Sequence, residues 1–339
     1  MYKHISLKIG AILIVAVLLV PLAYSSIAKA DNGSQDREVS VDASNNGYFS
    51  IDSKSIAPPG HSNEFELVFA GNTLLMTFRN STNQQNSSLE FAVTLNKLVY
   101  STASGGNQTL IDFGDSGFSL MDSSMYSSVG MSMNNNLNSP YSEFGVYVLH
   151  ENTMFAMIAQ VNGATSSVQT PAMQGKMMTL TPNEVKLSFI IFNTTGMSSG
   201  MMSQTSQQTS GNISLQMKIS APSGMPPAVS THNGFALNFT EGNNSGYFAW
   251  NRTAYVSNGG MQGWTRAVVG YSFSGQELTL TYPAAQKIVH DPTIGISAQT
   301  ITSAVYNAVR AAGNIIIYGI ALTLAIVLVA ASAAYRRRN

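Results

Sequence analysis

Ile213-Ser214-Leu215-Gln216-Met217-Lys218-Ile219-Ser220 alternates apolar and polar residues without interruption. Successive side chains of an extended chain point to opposite faces, so this run predicts a strand with one buried and one wet face; it offers no apolar stripe to a helix. The same period of two returns along most of the chain. Phe65, Leu67 and Phe69 alternate, Gly71-Asn72 offers a turn, and Leu74, Met76 and Phe78 alternate again, which predicts a hairpin. Glu90 to Leu95 and Leu110 to Phe113 continue the meander. Phe144 to Val148, a turn at His150-Glu151-Asn152, and Phe155 to Val161 predict another hairpin. Val185 to Ile191, Phe235 to Phe239, Tyr247 to Trp250, Ala267 to Phe273 and Leu278 to Tyr282 add strands at spacings that suit two stacked sheets. No stretch from Asp31 to Pro292 carries a helical repeat. The expected fold class is all-β, a large β-sandwich.

Two segments depart from the pattern. Ser119 to Ser142 is Ser, Asn and Met with little periodicity, a long surface loop and the natural place for an internal boundary, so 31–292 reads as one extracellular β domain or as two with a break near 119–142. Asn193 to Gly211 is Ser, Thr, Gln, Gly and Met, the composition of a segment that packs no core. Past His290-Asp291-Pro292 the apolar residues Ile294, Ile301, Val305, Ala308 and Val309 fall at or near helical spacing and predict a helical stalk over 293–314. An Asp before Pro favours extended or turn geometry, which would set the exit from the β domain into that stalk.

The ends of the chain place it. From Ile315 to Ala334 no residue is charged, and a helix rising about 1.5 Å per residue over that length spans roughly 30 Å, the thickness of a bilayer's hydrocarbon core. A transmembrane helix is therefore expected at 315–335. Arg336, Arg337 and Arg338 follow, and positive charge beside a span stays on the cytoplasmic side, so 336–339 is a cytoplasmic tail. At the other end Lys3 and Lys8 precede an apolar core from Ile9 to Val20, then Ala28-Lys29-Ala30, the pattern of a signal peptide over 1–30. The expected location is the cell membrane, single-pass, with the N-terminus outside; the lipid bilayer is the first partner, and other envelope proteins or glycans are further ones.

Composition narrows the chemistry. Charged residues are 10% of the chain, against roughly 25% in an average soluble domain. Lys plus Arg and Asp plus Glu are 17 each, which excludes a basic field for nucleic acid. With so few carboxylates to protonate, the surface suits an acidic exterior. There is no cysteine, so disulfides, thiolate metal sites and cysteine nucleophiles are excluded together. Asn-x-Ser/Thr sequons stand at Asn32, Asn80, Asn86, Asn107, Asn193, Asn212, Asn238, Asn243 and Asn251, and in a secreted chain they predict a glycosylated exterior.

Candidate reactive groups are sparse. Gly196-Met197-Ser198-Ser199-Gly200 matches the nucleophile elbow of serine hydrolases, but a Ser/Gln-rich segment follows where that chemistry needs a helix. His61, His150, His232 and His290 are scattered without metal spacing and read as turn residues. Tyr247, Trp250, Tyr255 and Trp264 could line a sugar-binding face, with core packing the plainer reading. Methionine is abundant, at 17 residues, and Met121, Met125, Met131, Met133, Met197, Met201 and Met202 lie in the two polar segments, where thioethers could take Cu(I) or fill gaps. No catalytic, cofactor or metal residue is assigned, and no cofactor is expected. The expected role is structural, adhesive or recognition work at the envelope and not catalysis; copper binding through the methionines and a surface hydrolase are the alternatives.

Gly246-Tyr247-Phe248-Ala249-Trp250, and His290-Asp291-Pro292-Thr293-Ile294-Gly295-Ile296 after Tyr282-Pro283, resemble signatures of archaeal cell-surface proteins with a β-rich ectodomain and a C-terminal transmembrane anchor. The resemblance covers 234–334. It implies that architecture and an archaeal source, and no activity.

Overall fold

A computed structural model describes residues 37–55, 61–82, 85–122, 124–125, 141–169, 177–193, 211–221, 227–230, 235–242, 244–258 and 263–296. Strands β1 (Arg37–Ser44), β2 (Tyr48–Ser55), β3 (His61–Ala70), β4 (Thr73–Thr82) and β5 (Gln85–Thr102) form an antiparallel meander, and β6 (Asn107–Asp112) folds back on β5. After β7 (Ser119–Leu120), β8 (Tyr141–His150) and β9 (Thr153–Asn162) belong to a second sheet. β10 (Ser166–Gln169) and β11 (Met177–Leu180) pair with each other, and β12 (Glu184–Asn193) returns to β9. β13 (Gly211–Ser220) crosses to the first sheet and lies against β5. β14 (Ala228–Ser230), β15 (Phe235–Glu241), β16 (Asn244–Trp250), β17 (Thr253–Ser257) and β18 (Thr265–Val268) are in the second sheet, and β19 (Gly270–Ser274) and β20 (Glu277–Pro283) in the first. β21 (Lys287–His290) and β22 (Thr293–Ile296) complete the second.

The all-β expectation holds: the ordered elements of the described residues are strands, and helical backbone appears among those residues at 124–125 alone. One core serves both sheets, because the alternating residues of each turn their apolar set inward. Phe65, Leu67 and Phe69 of β3 and Ile213, Leu215 and Met217 of β13 enter the same cluster as Val185, Leu187 and Phe189 of β12. Rings join the layers directly. Phe91 stacks on Phe239 at 3.9 Å between centroids, and Phe49 meets Phe144 edge-on at 4.6 Å. At Gly246 the layers approach so closely that a Cβ would stand 2.9 Å from Phe91 Cε1. Strands from both sides of 119–142 thus share one core.

The structure corrects two expectations. The helix expected from 293 does not begin there, since Thr293–Ile296 is strand β22, fully buried between β12 and β16. Three- and four-residue spacing was too short a signal: Thr-Ile-Gly-Ile is also a short apolar run with β-branched residues, and two neighbouring strands supply its hydrogen bonds. Nor is the run from Ala267 to Phe273 one strand. Val269 is buried at a corner where its N–H donates to the Arg252 carbonyl at 2.9 Å, and the chain passes there from the second sheet to the first. The remainder of the expected stalk, the span at 315–335 and the signal peptide at 1–30 lie outside the described residues, among which no helix is long and apolar enough to cross a membrane.

The two outer faces differ. That of the first sheet carries exposed cross-strand pairs, Lys54 with Glu64 at 3.2 Å and Lys97 with Asp112 at 3.0 Å, which solvent screens. That of the second sheet bears a separate apolar cluster: Met121, Ala156, Ile158, Ile190 and Val289 are buried, with Tyr147, Phe192, Tyr255 and Trp264 packed around them.

Candidate functional site

On β12 the odd residues enter the shared core, while Glu184, Lys186, Ser188, Ile190 and Phe192 look outward and run from polar to apolar along one strand. Beside β12 two lines of chain break at the same level. β22 and β21 are one line interrupted at Asp291-Pro292, and β16 and β17 are another interrupted at Asn251-Arg252. β12 bridges the break, pairing Lys186 with Thr293 and Phe189 with His290. Proline has no N–H to give a ladder, so Pro292 can sit here only by interrupting it. Its carbonyl still accepts from the Leu187 N–H at 2.9 Å.

The interruption opens an outward cleft of about 240 Å³ lined by Glu184, Lys186, Tyr247, Trp250, Asn251 and Asp291, with Phe235, Ala236, Ala249 and Thr293. Its polar groups are linked. Tyr247 donates its hydroxyl to Glu184 Oε2 at 2.7 Å, Lys186 Nζ lies 3.4 Å from Glu184 Oε1 and donates to Thr293 Oγ1 at 2.8 Å, and Ser188 Oγ donates to Asp291 Oδ1 at 2.7 Å. Asn251 Nδ2 donates to the Asp291 carbonyl at 3.3 Å. Burial raises the Tyr247 hydroxyl's pKa, and the negative charge of Glu184 adds to the effect, so this phenol stays a donor. Burial also pushes the Asp291 carboxyl up to about 6, against the opposing Ser188 hydrogen bond and Lys186 charge.

His290 faces the other way, fully buried in the core, and is not the turn residue expected of it. Its Nε2 lies 3.0 Å from the Asn251 carbonyl and its Nδ1 3.0 Å from the Tyr282 hydroxyl. A carbonyl only accepts, so Nε2 carries the proton and Nδ1 accepts from Tyr282. Burial drives its pKa down to about 4, opposed by the Asn251 carbonyl. The imidazole is thus a neutral link between the two broken lines of chain, and His290-Asp291-Pro292 lies within the sheet and not at its exit.

The aromatic quartet separates. Trp250 is only 3% exposed, packed against Phe235, Phe248 and Tyr271, and its Nε1–H has no hydrogen-bond partner among the described residues. Tyr255 and Trp264 belong to the apolar half of the outer face, where Lys287 Nζ sits 4.6 Å from the Phe192 centroid and 5.1 Å from that of Trp264. Burial lowers the Lys287 amine to about 8. Met121 is buried in this half and Met125 packs on it, so these two thioethers fill space; Met131, Met133, Met197, Met201, Met202 and the Gly196 to Gly200 motif lie outside the described residues. Among those residues no three His, Asp or Glu converge on a cation position.

The sequons divide by exposure. Asn107, Asn212 and Asn251 are exposed, Asn80 and Asn238 half-buried on β4 and β15. Asn193 is 7% exposed, with its Oδ1 3.4 Å from the Thr153 hydroxyl, so a sugar there requires the end of β12 to open. Asn86 lies in β5, and Asn32 and Asn243 lie outside the described residues. No family model matches the chain, and no curated protein is similar to it.

The cleft itself went unpredicted. Its groups come from β12, β16 and the β21–β22 break, distant in sequence, and the one local sign was Asp before Pro.

Proposed function

We propose that the chain is a single-pass surface glycoprotein whose β domain stands outside the membrane and works by recognition or adhesion, using the outer face of the second sheet. The observation that carries this reading is the inequality of the two outer faces. One is an ordinary wet surface of exposed ion pairs; the other gathers half-buried rings of Tyr147, Phe192, Tyr255 and Trp264 beside a polar cleft. Aromatic side chains with a polar rim are what binding surfaces use, because they bring large contact area at low entropic cost. The charge-free stretch from Ile315 to Ala334 and the arginines after it support the anchor, and the resemblance of 234–334 to archaeal surface proteins supports the setting.

Protease added to intact cells tests the topology. The expected result is digestion of the β domain with a small C-terminal fragment retained in the membrane. Complete protection of the β domain overturns the proposal.

A further inference from the structure

We infer that Asn251 carries an N-linked glycan whose first sugar ring sits in the cleft at the strand break, as a built-in part of the folded domain. The inference rests on the reading of the chain as an exported glycoprotein and adds to it which sequon matters and what the cleft holds.

Asn251 is exposed, heads the sequon Asn251-Arg252-Thr253, and is itself a wall of the cleft. The other exposed sequons, Asn107 and Asn212, lie on the first sheet in register with Ser101 between them and are not among the residues that line this cleft. At about 240 Å³ the cleft falls below the roughly 300–1,000 Å³ of sites that enclose drug-sized ligands, and a single ring with its hydroxyls is the scale that fits. Its chemistry suits that occupant. Glu184, Lys186, Thr293 and Asp291 offer donors and acceptors to hydroxyls, Tyr247 and Phe235 offer flat apolar surface, and Ala236 and Ala249 keep the space open. Glu184 and Lys186 neutralise each other, so nothing demands a charged ligand.

The attachment geometry is compatible with the fold. In glycosyl transfer the Asn251 amide nitrogen bonds to the anomeric carbon of a lipid-phosphate-linked sugar, the lipid phosphate leaves with the C–O electron pair, and one amide proton goes to the transferase's base. One N–H remains on Nδ2, and it can keep the bond to the Asp291 carbonyl that the bare side chain makes at 3.3 Å. That bond holds the new N–C linkage beside the cleft.

The test uses the full chain isolated from the membrane of its own cells and from a host that does not glycosylate. Thr253→Val abolishes the sequon while leaving Asn251 and the β-branched shape at 253; Thr253→Ser retains the sequon. Glycopeptide mapping is expected to find Asn251 modified. Thr253→Val is expected to lower the melting temperature by roughly 3 °C or more in the glycosylated background alone, with Thr253→Ser unchanged and with no effect in the non-glycosylating host. Ala249→Leu, which fills the cleft, is expected to erase the difference. Asn107 modified with Asn251 bare overturns the inference and leaves the surface-glycoprotein reading intact; no modified sequon overturns both. Modification at Asn251 with equal melting of wild type and Thr253→Val, or an equal shift in both hosts, shows that the sugar is not seated and overturns the inference.

Discussion

His290 and Asp291 are consecutive residues that serve opposite sides of one sheet: the imidazole is sealed in the core against Tyr282 and the Asn251 carbonyl, while the carboxyl meets Ser188 on the outer face. His290 is buried and Asp291 half-buried, and desolvation favours the neutral form of each, so their titrations oppose. For His290, with a folded pKa about 4 against 6.5, stability is fully present above pH 6.5 and is lost as pH falls through 4, about 3 kcal/mol in all. For Asp291, with a folded pKa about 6 against 3.8, stability is lost as pH rises through 6 and regained as pH falls toward 3.8, at most about 3 kcal/mol. The pair is nearly neutral to acid.

Asp291→Asn should therefore stabilise the protein at pH 7 and match wild type at pH 4, so that the variant weakens with acid where this pair in wild type does not. Chemical denaturation at the two pH values measures it; a stability difference independent of pH would show that Asp291 is already ionised in the folded state like an exposed carboxylate.

Gly246 lies where the two sheets touch. A methyl carbon added there would stand 2.9 and 3.0 Å from the Phe91 and Leu89 side chains and 3.2 Å from the Gly295 carbonyl oxygen. Gly246→Ala should cost about 1–3 kcal/mol, the range of overpacked cores. Urea unfolding that leaves the midpoint unchanged would mean that the layers separate freely.

Glu151 holds φ 49° in the exposed β8–β9 turn, the left-handed region that suits Asn or Gly better than Glu. Glu151→Asn should stabilise by roughly 0.5 kcal/mol or more, read as a higher denaturant midpoint at constant slope. A loss of stability would assign Glu151 an interaction that outweighs its backbone strain.

Met121 is buried among Ala156, Ile158, Ile190 and Val289. Met121→Leu should cost less than about 1.5 kcal/mol and Met121→Ala about 2–5 kcal/mol, with Cu(I) titration against a competing chelator unmoved by Met121→Leu. Weaker copper uptake in the Leu variant would revive a metal role for this thioether.

Strand character was written locally. Alternation such as that of β3, β4 and β13 announces itself because the pleat has a period of two whatever the neighbours are. Arg37-Glu38-Val39-Ser40-Val41-Asp42 carried the same sign, and β1 could have been foreseen from it. The carboxyl and imidazole at 290–291 were visible as residue types, but neither their burial nor their opposite orientations could be read before the partners of β21 were known.

By itself the sequence determined that this chain is built of strands, that it has no disulfide or thiolate chemistry, and that its ends carry the patterns of export and anchorage. Those properties depend on the order of side chains along a few residues. Only the tertiary structure decided which strands share a sheet, that 267–273 turns a corner, that 293–296 completes a sheet where a stalk was expected, and that Glu184, Tyr247, Asn251 and Asp291 border one cleft. Strand pairing is a choice among many partners of similar local preference, and it is settled by the burial of whole faces at once, a sum over residues hundreds apart that no local window contains.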